Sequence, residues 1–373
     1  MSDLGVGIIG CGNISAAYLR LGPLFRGIEI RAVADLNMAA AQARADEFGV
    51  RADSVADLLA AGDIDIVINL TVPAAHYEVT TRILEAGKHA YSEKPLVLTR
   101  DEALAVAELA KARDLRVGSA PDTFLGGAHQ QARALIDDGA VGRIVAGTAH
   151  VMSPGMESWH PNPDFFFLPG AGPVLDIGPY YITNLVQLLG PVTQVAALAT
   201  SAHDTRTIGS EPRRGEVIPV KTPTNIHALL RFEQGATITL SASWDVFAHR
   251  HAPMELYGTE GSLFVPDPNF FGGTLEQADR DGDIAPVAAW DHPLGIANEE
   301  SGMANYRAAG LADMAQAIAD GRPHRCAMDL AVHVVDVMTA ILRSGETGAF
   351  ETIQTTCPRP APLTPKDAAA LLR

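Results

Sequence analysis

The chain is short of cysteine, of positive charge and of long apolar runs, and each shortage removes a class of function. It carries three cysteines in 373 residues. Cys11, Cys326 and Cys357 lie far apart, so they form neither a disulfide framework nor a metal-ligand spacing. No metal is expected. Lys and Arg number 28 against 44 Asp and Glu, a formal net charge of −16. Surfaces for nucleic acid or anionic lipid need clustered basic side chains, so neither partner is expected. A small anionic substrate, which needs only a local Lys or Arg, stays open. No stretch approaches the roughly 20 apolar residues of a membrane span, and no basic segment followed by an apolar run opens the sequence. The expectation is a cytoplasmic protein without membrane contact.

What is present suffices for sizeable cores. Hydrophobic residues make up 47% of the chain, and the length suggests two domains or one large one. The strongest local signal is Val6-Gly7-Ile8-Ile9-Gly10-Cys11-Gly12-Asn13-Ile14-Ser15. Val6 to Ile9 reads as a buried strand, and Asn13 onward as a helix. Gly10 permits the turn between them, and Gly12 lets a ligand approach the backbone. The helix start supplies free N–H groups and a partial positive charge, which together cradle a pyrophosphate. Ser15 is small enough for close helix–strand packing. A second strand, Ile28 to Ala34, ends at Asp35, where a carboxylate can accept from ribose hydroxyls. Taken alone, the same residues could be a structural glycine turn with Asp35 as a helix cap. Asp35 favours NAD, because its charge repels a 2′-phosphate. Leu36 and Met38 offer that phosphate no cation, while Arg44 keeps NADP open.

Strands and helices then alternate. Helices are expected over 37–48, 54–61, 74–86 and 99–113, and strands over 64–70, 88–92 and 116–120. Asn37, Ser54 and Thr99 are the caps, the last two in capping-box spacing with Asp57 and Glu102. Such alternation predicts a parallel, doubly wound sheet, because parallel strands need helical crossovers. Its ligands bind beyond the carboxyl ends of the strands. After the third strand come Leu70, Thr71, Pro73 and His76. After the fourth come Glu93, Lys94 and Pro95. Pro95 disfavours a helical Lys94 and admits a cis bond. A fixed ammonium there can stabilise negative charge developing on a substrate oxygen. Read bare, Thr71 is a cap, His76 a solvated histidine and Glu93-Lys94 a loop ion pair.

These motifs, in this order, resemble the glucose-fructose oxidoreductase / inositol dehydrogenase / MocA (Gfo/Idh/MocA) family. The similarity continues through Gln130 to Arg133, Asp138 to Gly142, Gly170 to Gly178 and Gly258 to Ser262, and so covers essentially the whole chain. It implies an NAD(P)-dependent oxidoreductase for a secondary alcohol or ketone of a sugar, cyclitol or related polyol. It also implies Lys94 as a catalytic residue, joined by Asp176 and Tyr180 from the other domain. The tyrosine departs from the commoner histidine and resembles the tyrosine-containing branch. Tyr180 then takes the hydroxyl proton, with the Lys94 ammonium favouring its phenolate. Two alternatives are an NAD-dependent glycoside-cleaving enzyme working through a transient 3-keto sugar, and a non-catalytic NAD(P)-sensing regulator.

The second half reads as α+β. Strict alternation over 226–232 and 237–244 across Gln234-Gly235 predicts an antiparallel hairpin with one buried face. Further strands are expected over 142–151, 254–257 and 262–265, and helices over 128–138, 303–320 and 331–342. The 201–222 stretch reads as a loop or hairpin whose Arg206, Arg213 and Arg214 could meet an anionic substrate or another subunit. Asp176 and Tyr180, at i and i+4, read as one helical face, with Asp176 near its helix start. Without the resemblance they read as a cap and a half-buried core tyrosine. The expected division is residues 1–122 for a dinucleotide-binding Rossmann domain and 123–373 for substrate binding. The resemblance adds an open, mainly antiparallel sheet in the second domain, and a homodimer or homotetramer formed through it. The expected cofactor contacts are Gly10, Gly12, Asn13, Ile14, Asp35, Leu36, Leu70, Thr71, Pro73, His76, Glu93 and Lys94. Asp122, Phe124, Trp159 and His160 are the expected substrate contacts.

Overall fold

The structure, a computed structural model, describes residues 3–373. The first six strands are β1 (Leu4–Ile9), β2 (Ile28–Ala34), β3 (Arg51–Asp53), β4 (Ile66–Asn69), β5 (His89–Ser92) and β6 (Val117–Ser119). They form one sheet in the order β3-β2-β1-β4-β5-β6, and every pairing is parallel. The crossovers are α1 (Asn13–Leu21), α2 (Met38–Phe48), α3 (Val55–Ala60), α4 (His76–Glu85) and α5 (Arg100–Ala112). This is the expected doubly wound sheet. β4 is buried throughout, as a parallel strand covered on both faces must be.

The caps act as their side chains allow. Asn37 accepts from Ala39 N–H, Ser54 from Asp57 N–H, and Thr99 and Glu102 form a reciprocal capping box. The β3 strand was not expected. It is three residues of mixed exposure on the sheet edge, too short for a period to show.

A second sheet has nine strands in the order β16-β15-β14-β13-β7-β12-β11-β8-β17. Its central members are β7 (Ile144–Met152), β8 (Val192–Thr200), β11 (Asn225–Phe232) and β12 (Thr237–Ser243). A separate antiparallel pair, β9 (Thr205–Thr207) and β10 (Val217–Pro219), makes the expected hairpin insertion. The remaining strands are β13 (Met254–Gly258), β14 (Ser262–Val265) and β15 (Glu276–Ala278), with β16 (Ile284–Pro286) and β17 (Glu351–Thr352) at the edges. All pairings are antiparallel except β7 with β12. Ile226, Ala228, Leu230 and Phe232 point inward, and His227, Leu229 and Arg231 point outward.

The inner face packs on α8 (Gly178–Leu189) and α10 (Met328–Thr347). Every residue of α8 is buried. Its polar members are satisfied inside the core, Gln187 Nε2 donating to Asn184 Oδ1 at 3.0 Å. Just before it, α7 (Pro173–Asp176) ends at Ile177. The second half also contains α6 (Gly127–Asp137), α9 (Ala309–Asp320) and α11 (Pro365–Leu371).

The chain then returns to the first sheet. Ser119 N–H donates to Cys326 O, and Arg26 N–H to Leu371 O. The expected helix over 303–320 begins only at Ala309, because Ala308 holds φ +85°. A positive φ is costly for a residue with a side chain. Asp122 clamps it there, with Oδ2 accepting from Ala308 and Gly310 N–H at 3.0 and 3.1 Å.

Candidate functional site

The glycine turn has the geometry that a dinucleotide requires. Gly10 has φ +105°, and a Cβ there would stand 2.6 Å from Leu70 O. Only glycine takes that conformation without strain. Gly12 is the reverse case: a Cβ there would meet nothing within 4 Å. It opens α1 with no side-chain cap, so the first N–H groups of the helix remain for a ligand.

Asp35 is fixed by accepting from Cys11 N–H and Asn37 N–H, both at 2.8 Å. Leu36 is almost fully exposed beside it. Burial and the nearby Asp35 charge push the Cys11 thiol up to about 11, so it stays protonated. Arg44 stands at the same turn, donating from Nε to Ser15 Oγ at 3.2 Å and paired with Glu47 at 2.5 Å. Turn, free helix start and aspartate fit NAD.

The ends of β4 and β5 bring the next group together. Asn69 Oδ1 accepts from Thr71 Oγ1 and N–H at 2.6 and 3.2 Å, which shapes the turn after β4. His76, expected to touch the cofactor, is 1% exposed. Its ring nitrogens stand 2.6 Å from Pro95 O and 3.0 Å from Thr71 O. It therefore ties the Lys94-Pro95 loop to the Thr71 turn and offers a ligand almost no surface. Burial lowers its pKa. The Lys94-Pro95 bond is cis.

Lys94 Nζ donates to Asp176 Oδ1 and to Asp176 O, both at 2.6 Å. Burial, the largest single influence, pulls its ammonium down, but the Asp176 charge and hydrogen bond, with the negative groups of Tyr180 and Glu93, together outweigh it and the net shift is upward. Lys94 is therefore a fixed cation. Nζ also lies 5.3 Å from the centroid of the Tyr180 ring, in cation–π range.

One expectation changes here and another is outweighed. Asp176 and Tyr180 do not share one helix: Asp176 is the last residue of α7, and Tyr180 lies in the first turn of α8. Pro179 cannot donate to a continuing ladder, so the chain restarts. The Lys94 charge does favour a phenolate at Tyr180, but burial outweighs it. The ammonium faces the ring, and burial of Tyr180, 5% exposed, raises its phenol. At neutral pH Tyr180 holds its proton.

Glu93 completes the cluster. Its Oε1 accepts from Tyr18 Oη and from Arg307 Nη1, both at 3.2 Å, and its Oε2 accepts from the Lys94 N–H at 2.9 Å. Tyr18 and Arg307 were not anticipated. Arg307 arrives from 214 residues further along the chain, and no local spacing announces it.

Asp122 and Phe124, expected to meet substrate, are each 2% exposed. Asp122 is the clamp of α9, and Phe124 is core, so neither presents a surface to a ligand. Burial pushes the Asp122 carboxyl up to about 6.

Trp159, 62% exposed, lines a cavity of about 470 Å³ with Ile177, Tyr181, His150 and Asp267. His160 packs edge-on against Trp159 and accepts from Asn162 N–H at 3.1 Å. The arginines of the insertion have internal partners. Arg206 pairs with Glu157 and Asp245, Arg213 with Asp164 and Glu216, and Arg214 with Glu211.

Residues 4–120 match the model of an oxidoreductase family with an NAD-binding Rossmann fold. Residues 129–264 match the GFO/IDH/MocA C-terminal domain. The chain is 31% identical to a dTDP-3,4-didehydro-2,6-dideoxy-alpha-D-glucose 3-reductase of Streptomyces violaceoruber, over 70% of its own length and 72% of the relative's. The chain belongs to the Gfo/Idh/MocA oxidoreductase family.

Other members lie at similar distance. A levoglucosan dehydrogenase of Pseudarthrobacter phenanthrenivorans is 26% identical, with 79% of this chain and 83% of that one covered. With an uncharacterised oxidoreductase of Schizosaccharomyces pombe the match spans 38% of either chain at 31% identity. A solved levoglucosan dehydrogenase complexed with NADH and L-sorbose superposes with a TM-score of 0.80 at 23% identity, covering 95% of this chain and all of that one (100%). That likeness shares the two-sheet fold. Among the described residues, no helix is long and apolar enough to cross a membrane.

Proposed function

We propose that this family member is an NAD-dependent dehydrogenase or reductase for a secondary alcohol or ketone of a sugar, cyclitol or related polyol. The observation that carries the reading is the Lys94–Asp176 pair, closed at 2.6 Å at the carboxyl ends of the Rossmann strands and against the Tyr180 ring. Gly10, Gly12, Asn13 and Ile14 would hold the pyrophosphate, and Asp35 with Leu36 the adenosine. Leu70, Thr71, Pro73 and Glu93 would border the nicotinamide end. NAD bound there would exchange a hydride with the substrate carbon.

The chain's own groups manage the charge and the proton. Lys94 stabilises negative charge on the reacting oxygen. Asp176 keeps that ammonium charged and aimed. Tyr180, protonated at rest, gives its proton to the oxygen during reduction; oxidation runs from the minor phenolate form, which takes the hydroxyl proton as hydride leaves the carbon. Trp159 and His160 would flank the substrate on the side of the cavity. The division of labour falls near residue 122, with the second half also assembling dimers or tetramers through its open sheet, where Leu198 is 72% exposed.

The test is absorbance at about 340 nm with NAD, then NADP, against sugars, inositols, glycosides and diols, with a rise for one substrate class expected. Lys94→Ala and Tyr180→Phe should each lose most turnover and still bind NADH. Wild-type rates in both would sink the mechanism. Light scattering checks the assembly: a monomer at working concentration would exclude it.

A further inference from the structure

We propose that Arg307 is a substrate-binding residue whose free guanidinium edge takes two neighbouring hydroxyl oxygens of a neutral sugar, in a pocket that disfavours sugar acids. The inference rests on the dehydrogenase reading above.

The guanidinium is held at one corner only. Nη1 donates to Glu93 Oε1 at 3.2 Å, and the two side chains are 18% and 10% exposed. Among the described residues, Nε and Nη2 have no hydrogen-bond partner, yet neither is sealed from solvent. They form the planar side of the fork, which fits a pair of acceptor oxygens. A nearly buried arginine that keeps two donors unpaired, with its charge acting on Glu93 and Tyr180, is placed for a ligand. Its backbone shows the same fixing. The next residue is Ala308 at φ +85°, clamped by Asp122. Strain of this kind persists only where the surroundings enforce it.

The charge balance selects the ligand. Two cations, Lys94 and Arg307, face three carboxylates: Asp176 at 2.6 Å from Lys94, Glu93 at 3.2 Å from Arg307, and Asp122 on the α9 backbone. Neither cation is unmatched. A substrate carboxylate would be desolvated without a free positive charge to meet it, which is costly. Two hydroxyls need only donors for their oxygens and one acceptor for a proton. Nε and Nη2 supply the donors. Asp176 Oδ2, which has no partner among the described residues, supplies the acceptor.

The experiment titrates methyl α-D-glucopyranoside and D-glucuronate separately into the enzyme saturated with NADH, using calorimetry. The enzyme is wild type, then Arg307→Lys. The lysine keeps a charged partner for Glu93, so the fold should hold, but it lacks the fork. NADH affinity is read separately by fluorescence. The neutral glycoside should bind the wild type at least about tenfold more tightly than the acid. Arg307→Lys should weaken the glycoside by roughly tenfold, as expected for lost hydrogen bonds from a charged donor, with NADH affinity unchanged. Equal or tighter binding of glucuronate would overturn the proposal. So would a variant that binds the glycoside like wild type, or one that loses NADH to the same extent. Each of those results leaves the dehydrogenase reading standing. Binding of neither sugar to the NADH-loaded wild type would overturn the proposal, whereas the dehydrogenase reading falls only if the whole panel of sugars, inositols, glycosides and diols also leaves the absorbance flat.

Discussion

Replacing Asp176 by Asn isolates what holds Lys94 ready. Both acceptors on the ammonium come from Asp176, the carboxylate and the backbone carbonyl, each at 2.6 Å. Asn keeps the shape and the carbonyl and removes the charge. In the wild type, burial pulls Lys94 down from 10.5, and Asp176, the leading opposing charge, together with Tyr180 and Glu93 more than restores it. Without that charge burial dominates, and Lys94 loses its proton at lower pH. A hydrogen bond to a charged group contributes about 1.5–3 kcal/mol. At about 1.4 kcal/mol per factor of ten, kcat should fall roughly 10- to 100-fold. The pH profile should change as well. Wild-type activity should show no Lys94 limb below about pH 10, whereas Asp176→Asn should gain a descending limb nearer neutrality. Initial rates at saturating NAD across that range measure both, and NADH fluorescence confirms that the variant still binds cofactor. Unchanged kcat, or reduced kcat with an unaltered pH profile, would refute the assignment of Asp176 as keeper of the Lys94 charge.

The glycine turn makes a paired prediction. Gly10→Ala forces a side chain onto φ +105° and against Leu70 O, so it should lose about 1–3 kcal/mol of stability in a melting experiment. Gly12→Ala enters open space and should melt like wild type while losing NAD affinity; a variant that binds NAD normally would remove Gly12 from the cradle. Asp122 gives a pH signature. Its folded carboxyl titrates at about 6 against a usual 3.8, so the native state holds the proton more tightly. The stability this provides is whole below 3.8 and is lost as pH rises through 6. Above about pH 7 the loss amounts to about 3 kcal/mol. Asp122→Asn stays neutral and can still accept from Ala308 and Gly310, so it should out-melt wild type at about pH 8 and match it at about pH 4. An equal difference at both pH values would count against it.

The first sheet was legible because its signals are local. Val6 to Ile9, Gly10, Gly12 and Asp35 sit within one βαβ unit, where period and turn chemistry fix the geometry. Caps at Asn37, Ser54 and Thr99 act within their own turns, so spacing alone placed them. What stayed illegible is long-range or depends on burial. β8 went unseen although it lies between β11 and β17. Its outer positions include the apolar Leu198, which blurs the alternation. His76 and Asp122 looked like ligand contacts because both follow parallel strands. Folding instead closes carbonyls over His76 and brings the α9 backbone onto Asp122. Tyr180 was paired with the correct cation, but its burial outweighs that cation's pull on the phenol. The family resemblance brings Lys94 and Tyr180 to one place, but only coordinates show Nζ over the ring face and engaged by Asp176. Arg307 marks the limit most clearly. Its partner Glu93 is far away in sequence, and the strain beside it arises from a tertiary clamp. A group of that kind becomes visible only when both halves of the chain are folded together, which is also the condition for the site to exist.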